Sequence, residues 1–212
     1  MTTHAVADLI RDIRITLDEN SVQNEYLAVA DDNMELDDII RSKLSDAVRS
    51  VEEAAPLWML EGKPHVPSVV NTNSDGSGDV SLPADFLRLV SFLLDDWSVE
   101  VNFMVEYGSD EAMKQKNKYI RGNPKRPICV SSFDATGARV LEFYSTTKAN
   151  AAISKFLYVP IPVIDGDSIS FSTILYKSVV NMCAGLTEIA RGNQAAADVL
   201  FKIAESYYRA NE

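Results

Sequence analysis

Asn73, Asp75, Gly76 and Asp79 carry the residue types of a calcium loop, in which side-chain oxygens surround the ion and a bidentate Glu closes the cage. The spacing is wrong, and Ala84 stands where that Glu should fall, so a plain turn is the simpler reading. Asp165-Gly166-Asp167 could hold a cation, but a turn or helix cap needs the same residues and no ligand. The acidic pairs Asp31-Asp32, Asp37-Asp38 and Asp95-Asp96 read as solvated faces before general acid/base pairs. Only two histidines are present: His4 near a terminus expected to fray, and His65 between prolines. Neither has a partner at ligand spacing. Cys129 and Cys183 lie far apart in apolar settings and read as buried thiols. There is no Gly-x-Ser-x-Gly elbow, no phosphate-cradling loop ending in Lys-Ser/Thr and no Cys-x-x-Cys. No catalytic, metal or cofactor site is assigned, and a non-enzymatic protein is expected. A hydrolase using Asp165 and Asp167 ranks last.

One charge feature departs from the bulk. Lys114, Lys116, Lys118, Arg121, Lys125 and Arg126 are opposed between residues 111 and 126 by Glu111 alone. Three readings are open: a solvated helix and loop, a phosphate-contacting patch, and a surface complementary to an acidic face on another copy of the chain. With only Tyr119 interleaved, stacking platforms for bases are sparse. The acidic face would be the N-terminal segment, where the first 55 residues hold five basic and thirteen acidic groups and Asp37 and Asp38 stand on a helical pattern.

The elements that position these residues follow from periodicity. At 212 residues, with 46% apolar and 24% charged residues, the chain can bury a sizeable core and disorder is not the default. A net charge of −11 disfavours coating nucleic acid or binding anionic membrane. The N-terminus has no signal-peptide pattern, and no apolar run approaches a membrane span.

Val6, Leu9, Ile10, Ile13 and Leu17 predict a first helix, and Tyr26, Leu27 and Val29 tack a polar connector onto the body. Asp32 with Glu35 offers a capping box for a second helix that Pro56 ends. Asn71 to Asp79 reads as a loop, with Asn73, Asp75 and Asp79 as candidate contacts to a neighbour. Leu82-Pro83-Ala84-Asp85 then delivers a buried strand from Phe86. Val99 to Val105 alternates as a half-buried strand, Ser109 caps a short helix through Tyr119, and a hairpin is expected around Ala135 to Ala138. Ser172 caps a long helix with a narrow seam of Leu175, Val179, Met182, Leu186 and Ile189. Gly192 closes it, and Ala196, Val199, Leu200, Ile203 and Tyr207 line one face of the last helix. The fold class expected is α+β and predominantly helical. A four-helix bundle-like core (residues 1–56 and 172–212) carries a central antiparallel β-insert with a short helix (57–171).

Leu82, Pro83, Asp85, Phe86, Leu87 and Leu89, after two helices and before β-structure and a helical pair, resemble the head-to-tail connector proteins of tailed bacteriophages, of the short-tailed or crAss-like neck type. The resemblance implies a virion protein assembled in the host cytoplasm. It implies a ring, commonly dodecameric, docked under the portal protein and continued by downstream tail or neck proteins. Double-stranded DNA would pass through its lumen without specific binding. It places portal docking in the C-terminal segment, at Ile203, Tyr207, Tyr208 and Arg209. The alternative is a soluble scaffolding or regulatory module that binds a partner protein.

Overall fold

The computed structural model describes residues 1–17, 30–66, 70–148 and 150–209, and of 30–35 the backbone alone. The elements begin with β1 (Thr2–Ala5), α1 (Val6–Thr16), α2 (Ala30–Ala54), β2 (Lys63–Pro64), β3 (Val70–Thr72), β4 (Gly78–Ser81) and β5 (Phe86–Leu94). They continue with α3 (Asp110–Gln115), β6 (Cys129–Phe133), β7 (Arg139–Phe143), β8 (Ile153–Pro160), β9 (Ser168–Phe171), α4 (Tyr176–Ala190) and α5 (Gln194–Arg209). The chain divides into two compact units, Met1–Glu61 with Ile161–Glu212, and Gly62–Pro160.

In the first unit α1 buries Val6, Leu9 and Ile13 at steps of three and four. Ala5 offers no side-chain cap, and the first helical N–H, of Val6, instead donates to the Asp167 carbonyl at 2.9 Å. That bond continues an antiparallel pairing of β1 with β9, Thr2 opposite Phe171 and Ala5 opposite Ser168. Arg41 of α2 donates to the Gly166 carbonyl at 2.6 Å in the same turn. α2 buries Ile40, Leu44, Val48 and Val51 and stops before Pro56. α4 is the hub, packing against α1, α2 and α5. It is therefore buried around most of its circumference, through Ser178, Val179, Val180, Cys183, Ala184 and Thr187, and not along a narrow seam. Gly192, at φ +83°, ends the hairpin turn while the Asn193 N–H reaches back to the Glu188 carbonyl at 2.8 Å.

The second unit holds two antiparallel sheets, in the orders β2-β8-β5 and β3-β4-β7-β6. β5 is long and bulged. Its Phe86, Leu89, Phe92 and Leu94 enter one core with Trp97, Leu141, Phe143 and Phe156. In the four-stranded sheet, Asn71, Asp79, Glu142 and Val130 form one cross-strand row, and the adjacent row is Thr72, Gly78, Phe143 and Cys129. Val80, Leu141, Phe143 and Cys129 face the core. On the opposite face Ala112 of α3 packs over Val130 together with Val105, from the segment before the helix.

The expectation of a predominantly helical four-helix bundle is therefore overturned. The protein is mixed α/β, about 39% helical and 26% strand, with five helices and three antiparallel sheets among the described residues. The physical reason lies in where the helices find partners. α5 packs mainly on α4, and α1, α2 and α5 surround α4 instead of closing a square. The β-structure has its own aromatic core, and a further sheet, β1 with β9, sits in the helical unit. The expected strand at Val99 to Val105 is reduced to two bridges, Val101 with Phe92 and Val105 with Val130. The short helix ends at Gln115, and further on the Asn117 carboxamide accepts the Tyr119 N–H at 3.1 Å and turns the chain.

The glycines of the four-stranded sheet give a direct comparison. A Cβ at Gly78 would lie 2.2 Å from the Asn71 carbonyl and 2.4 Å from the Phe143 ring, whereas one at Gly137, φ +85°, meets nothing within 4 Å. Gly78→Ala is expected to cost about 3 kcal/mol, because backbone and a core ring must both move. Gly137→Ala should cost about 1 kcal/mol, from the left-handed conformation alone. Urea denaturation of the two variants checks this; equal losses would show that the sheet yields freely at Gly78.

Candidate functional site

The predicted loop contacts are built into a folded hairpin tip. Asn73 N–H donates to the Ser77 carbonyl at 2.7 Å, and Gly76, at φ +84°, supplies the left-handed residue that a tight hairpin needs. Asp75 Oδ1 accepts the Ser77 hydroxyl at 2.6 Å and its N–H at 3.1 Å. Those bonds, with the Arg121 guanidinium beside it, hold the Asp75 carboxyl below its ordinary value. Arg121 pairs with Asp75 Oδ2 at 3.4 Å and also donates to the Asp75 carbonyl. Asp79 Oδ2 accepts from the Asn71 amide at 2.8 Å. The structure thus joins two residues predicted for separate surfaces, Asp75 and Arg121. No group of three potential metal ligands occurs among the described residues.

Beside this tip a polar concavity of about 420 Å³ opens on the solvent face of the sheet, over Asn71, Asp79, Glu142 and Tyr144. The Tyr144 hydroxyl donates to Glu142 Oε2 at 2.6 Å, and burial, then the neighbouring Glu142, pushes the phenol well above its ordinary value. Asp79 and Glu142 stand directly opposite each other in register.

The basic stretch begins on α3, whose first turn is capped by the Ser109 hydroxyl, an acceptor for Ala112 N–H at 3.3 Å. Gln115, 2% exposed, anchors the chain beyond the helix by accepting the Gly122 N–H at 2.8 Å. Lys114, Lys116, Lys118, Lys125 and Arg126 are exposed and make no ion pair among the described residues. Arg121, tied to Asp75, is the exception. Lys118 Nζ lies 5.1 Å above the ring of Tyr119, which is 84% exposed, with Met113 and Ile120 also open to solvent. The result is a cationic surface with apolar groups set in it.

The expected acidic counterpart is only partly available. Asp37 Oδ1 accepts from Arg14 at 2.9 Å, while Asp38 is exposed and without an ion pair among the described residues. Arg11 with Asp8 and Arg49 with Glu53 neutralise more of the same helices. Tyr26, Leu27, Val29 and the side chains of Asp31, Asp32 and Glu35 lie outside the described residues.

On α5 the structure separates the four predicted docking residues. Ile203 and Tyr207 are exposed, Arg209 pairs with Glu205 at 3.1 Å, and Tyr208 is buried at 6% exposure. Val199, one turn before Ile203, shares the exposed stripe. Its place in the 199, 203, 207 spacing was the sequence signal for it.

No converging catalytic set appears elsewhere among the described residues. His4 stacks on Phe171 with centroids 4.2 Å apart, and His65 meets Phe156 edge-on at 5.1 Å. Asp165 turns the chain with Gly166 and Ser168, and Asp167 pairs with Arg41 at 3.2 Å. Both cysteines are free and buried; burial pushes the Cys183 thiol up to about 12 and the Cys129 thiol well above its ordinary value. No helix of the described residues is long and apolar enough to cross a membrane. Against known proteins, the chain matches no family model and no characterised sequence.

Proposed function

We propose that this protein is a structural, non-enzymatic subunit that assembles head-to-tail into a ring in the neck of a tailed-phage virion. It would join the portal to the tail and continue the DNA channel. The observation that carries the reading is charge segregation. Residues 62–160 hold eleven basic and eleven acidic groups, so the whole −11 falls on residues 1–61 and 161–212, nine basic against twenty acidic. Within the neutral unit, five cations of the 114–126 stretch make no ion pair among the described residues. A chain with a net acidic unit and an unpaired basic surface on the other suits a heterologous contact between copies, which closes into a ring when its rotation permits. An acidic wall also lets DNA slide, since few phosphates meet cations.

Native mass and negative-stain imaging of the purified chain, alone and with the portal protein encoded beside it, test the reading. Rings, dodecameric by the connector resemblance, are expected alone or on the portal. Monomers that ignore the portal would sink it. The triple variant Lys114→Glu, Lys116→Glu, Lys118→Glu should lose assembly while keeping its circular dichroism and unfolding midpoint. Rings that survive this reversal would leave a ring protein assembled by some other surface.

A further inference from the structure

The apolar arc of α5 is wider than its contact with α4. The covered part is made of small residues, Ala197 and Ala204, with Tyr208 at the end and the Phe201 ring seated over Gly185, where a Cβ would lie 2.5 Å from the ring. The bulkier part is uncovered. Val199, Ile203 and Tyr207 repeat at four-residue steps, 57%, 38% and 44% exposed, forming a stripe about 12 Å long. Isolated exposed side chains need no explanation, but a continuous stripe along one helix does. At its N-terminal end the stripe runs into a groove of about 610 Å³, walled by Thr16 and Leu17 of the α1 end and floored by Ala196, Val199 and Leu200.

The charge around the stripe runs against that of its own unit. Lys177 Nζ lies 5.9 Å from the Tyr207 ring at one end, and Lys202 makes no ion pair among the described residues. Two of the carboxylates nearby are paired with cations, Glu188 with Arg191 at 3.1 Å and Glu205 with Arg209 at 3.1 Å, while Asp198 accepts from the neutral Gln194 amide at 2.8 Å and keeps its charge. In a unit carrying −11, the rim of this apolar stripe is net positive, with Lys177 and Lys202 set against Asp198.

We infer that the α5 stripe and its groove are a docking site for an amphipathic helix of a partner protein, one that presents an apolar face flanked by carboxylates. A helix laid along or across α5 would seat apolar side chains between Val199, Ile203 and Tyr207, with its acids reaching Lys177 and Lys202. The inference is independent of ring assembly.

The probes are two stapled helical peptides of about 18 residues with one Leu/Ile stripe, flanked by Glu in one and by Lys in the other. They are titrated into the full chain with labelled Ile, Leu and Val methyls. The Glu-flanked peptide should shift the Val199 and Ile203 methyls and bind at least about tenfold tighter than the Lys-flanked one. Ile203→Glu should abolish binding with the fold intact, and Lys177→Glu with Lys202→Glu should reverse the preference. Absence of binding, or equal affinity for both peptides, overturns the inference. So does concentration dependence of the same methyls in the free protein, which would assign the stripe to a second copy. A shift of those methyls on replacing residues 18–29 by a Gly-Ser linker would assign it to the chain itself and overturn the inference as well.

Discussion

Glu52→Gln is expected to stabilise the protein, by an amount that grows with pH. Glu52 lies near the C-terminal end of α2 at 1% exposure, and burial raises its carboxyl from 4.5 to about 8. Because the folded-state value lies above the unfolded one, the fold favours the protonated acid. Its contribution is fully present below about pH 4.5, declines as pH rises, and is lost above about pH 8. Gln keeps the shape of the protonated side chain and cannot ionise. At about 1.4 kcal/mol per pH unit, the variant should gain less than about 1 kcal/mol at pH 5 and about 3 kcal/mol at pH 7, levelling off above pH 8. Urea denaturation of both proteins at these three pH values measures the difference. A gap that does not change with pH, or a loss in the variant, would show that Glu52 stays charged in the fold.

Glu52 also shows where sequence reading stops. It falls among charged residues on an amphipathic pattern and reads as surface, yet Val51, Glu52 and Ala55 are all buried. α2 is buried over a wider arc than its own periodicity requires, and only packing decides that. The same limit explains α4. Its strongest apolar repeat predicts a narrow seam, but three helices surround it, so Ser178 and Thr187 are also buried. Local chemistry was legible. Pro83 and Asp85 start β5 at Phe86, Pro56 stops α2, Gly192 closes the helical hairpin and Gly137 turns the β6–β7 hairpin. Pairings distant in sequence were not. β1 is four ordinary residues, Thr2 to Ala5, and becomes a strand only because Ser168 to Phe171 lies alongside. Residues 71–79 read as a loop because β3 and β4 are short and Gly78 interrupts their pattern, although that glycine is what lets Phe143 close the core.

For the candidate surfaces, residue types could be read but engagement could not. Six cations between 114 and 126 look equivalent in sequence, yet Arg121 is spent on Asp75 inside the unit while the others stay free of ion pairs among the described residues. Tyr207 and Tyr208 look like a pair, yet adjacent helical positions differ by about 100°, which leaves one half-exposed and buries the other. An interaction surface is what packing leaves over, so it becomes visible only after the packing is known.

Phe92→Ala is expected to unfold residues 62–160 far more readily than any change to the polar contacts at the start of β5. Phe92 is fully buried, with Trp97, Phe156 and Phe143 at centroid distances of 5.6, 5.3 and 6.4 Å. The Trp97 and Phe156 rings meet it edge to face, a preferred aromatic geometry. Truncation removes the ring's transfer energy and leaves a cavity that three rigid rings cannot refill, at a cost of about 4 kcal/mol. Asp85, whose carboxylate accepts from the Tyr158 hydroxyl at 2.9 Å and pairs with Lys63 at 3.3 Å, is the polar alternative for what holds this strand. Lys63 is half exposed, so that ion pair adds little, and Asp85→Asn should cost about 1 kcal/mol, mainly through the Tyr158 bond. Chemical denaturation followed by Trp97 fluorescence separates the two ideas. A loss at Asp85 equal to that at Phe92 would mean that the polar entry, and not the aromatic core, fixes β5. The expected inequality gives the Leu-Pro-x-Asp segment a narrower role. It sets where the strand begins, and Phe86, Leu89 and Phe92 supply the energy that keeps it there.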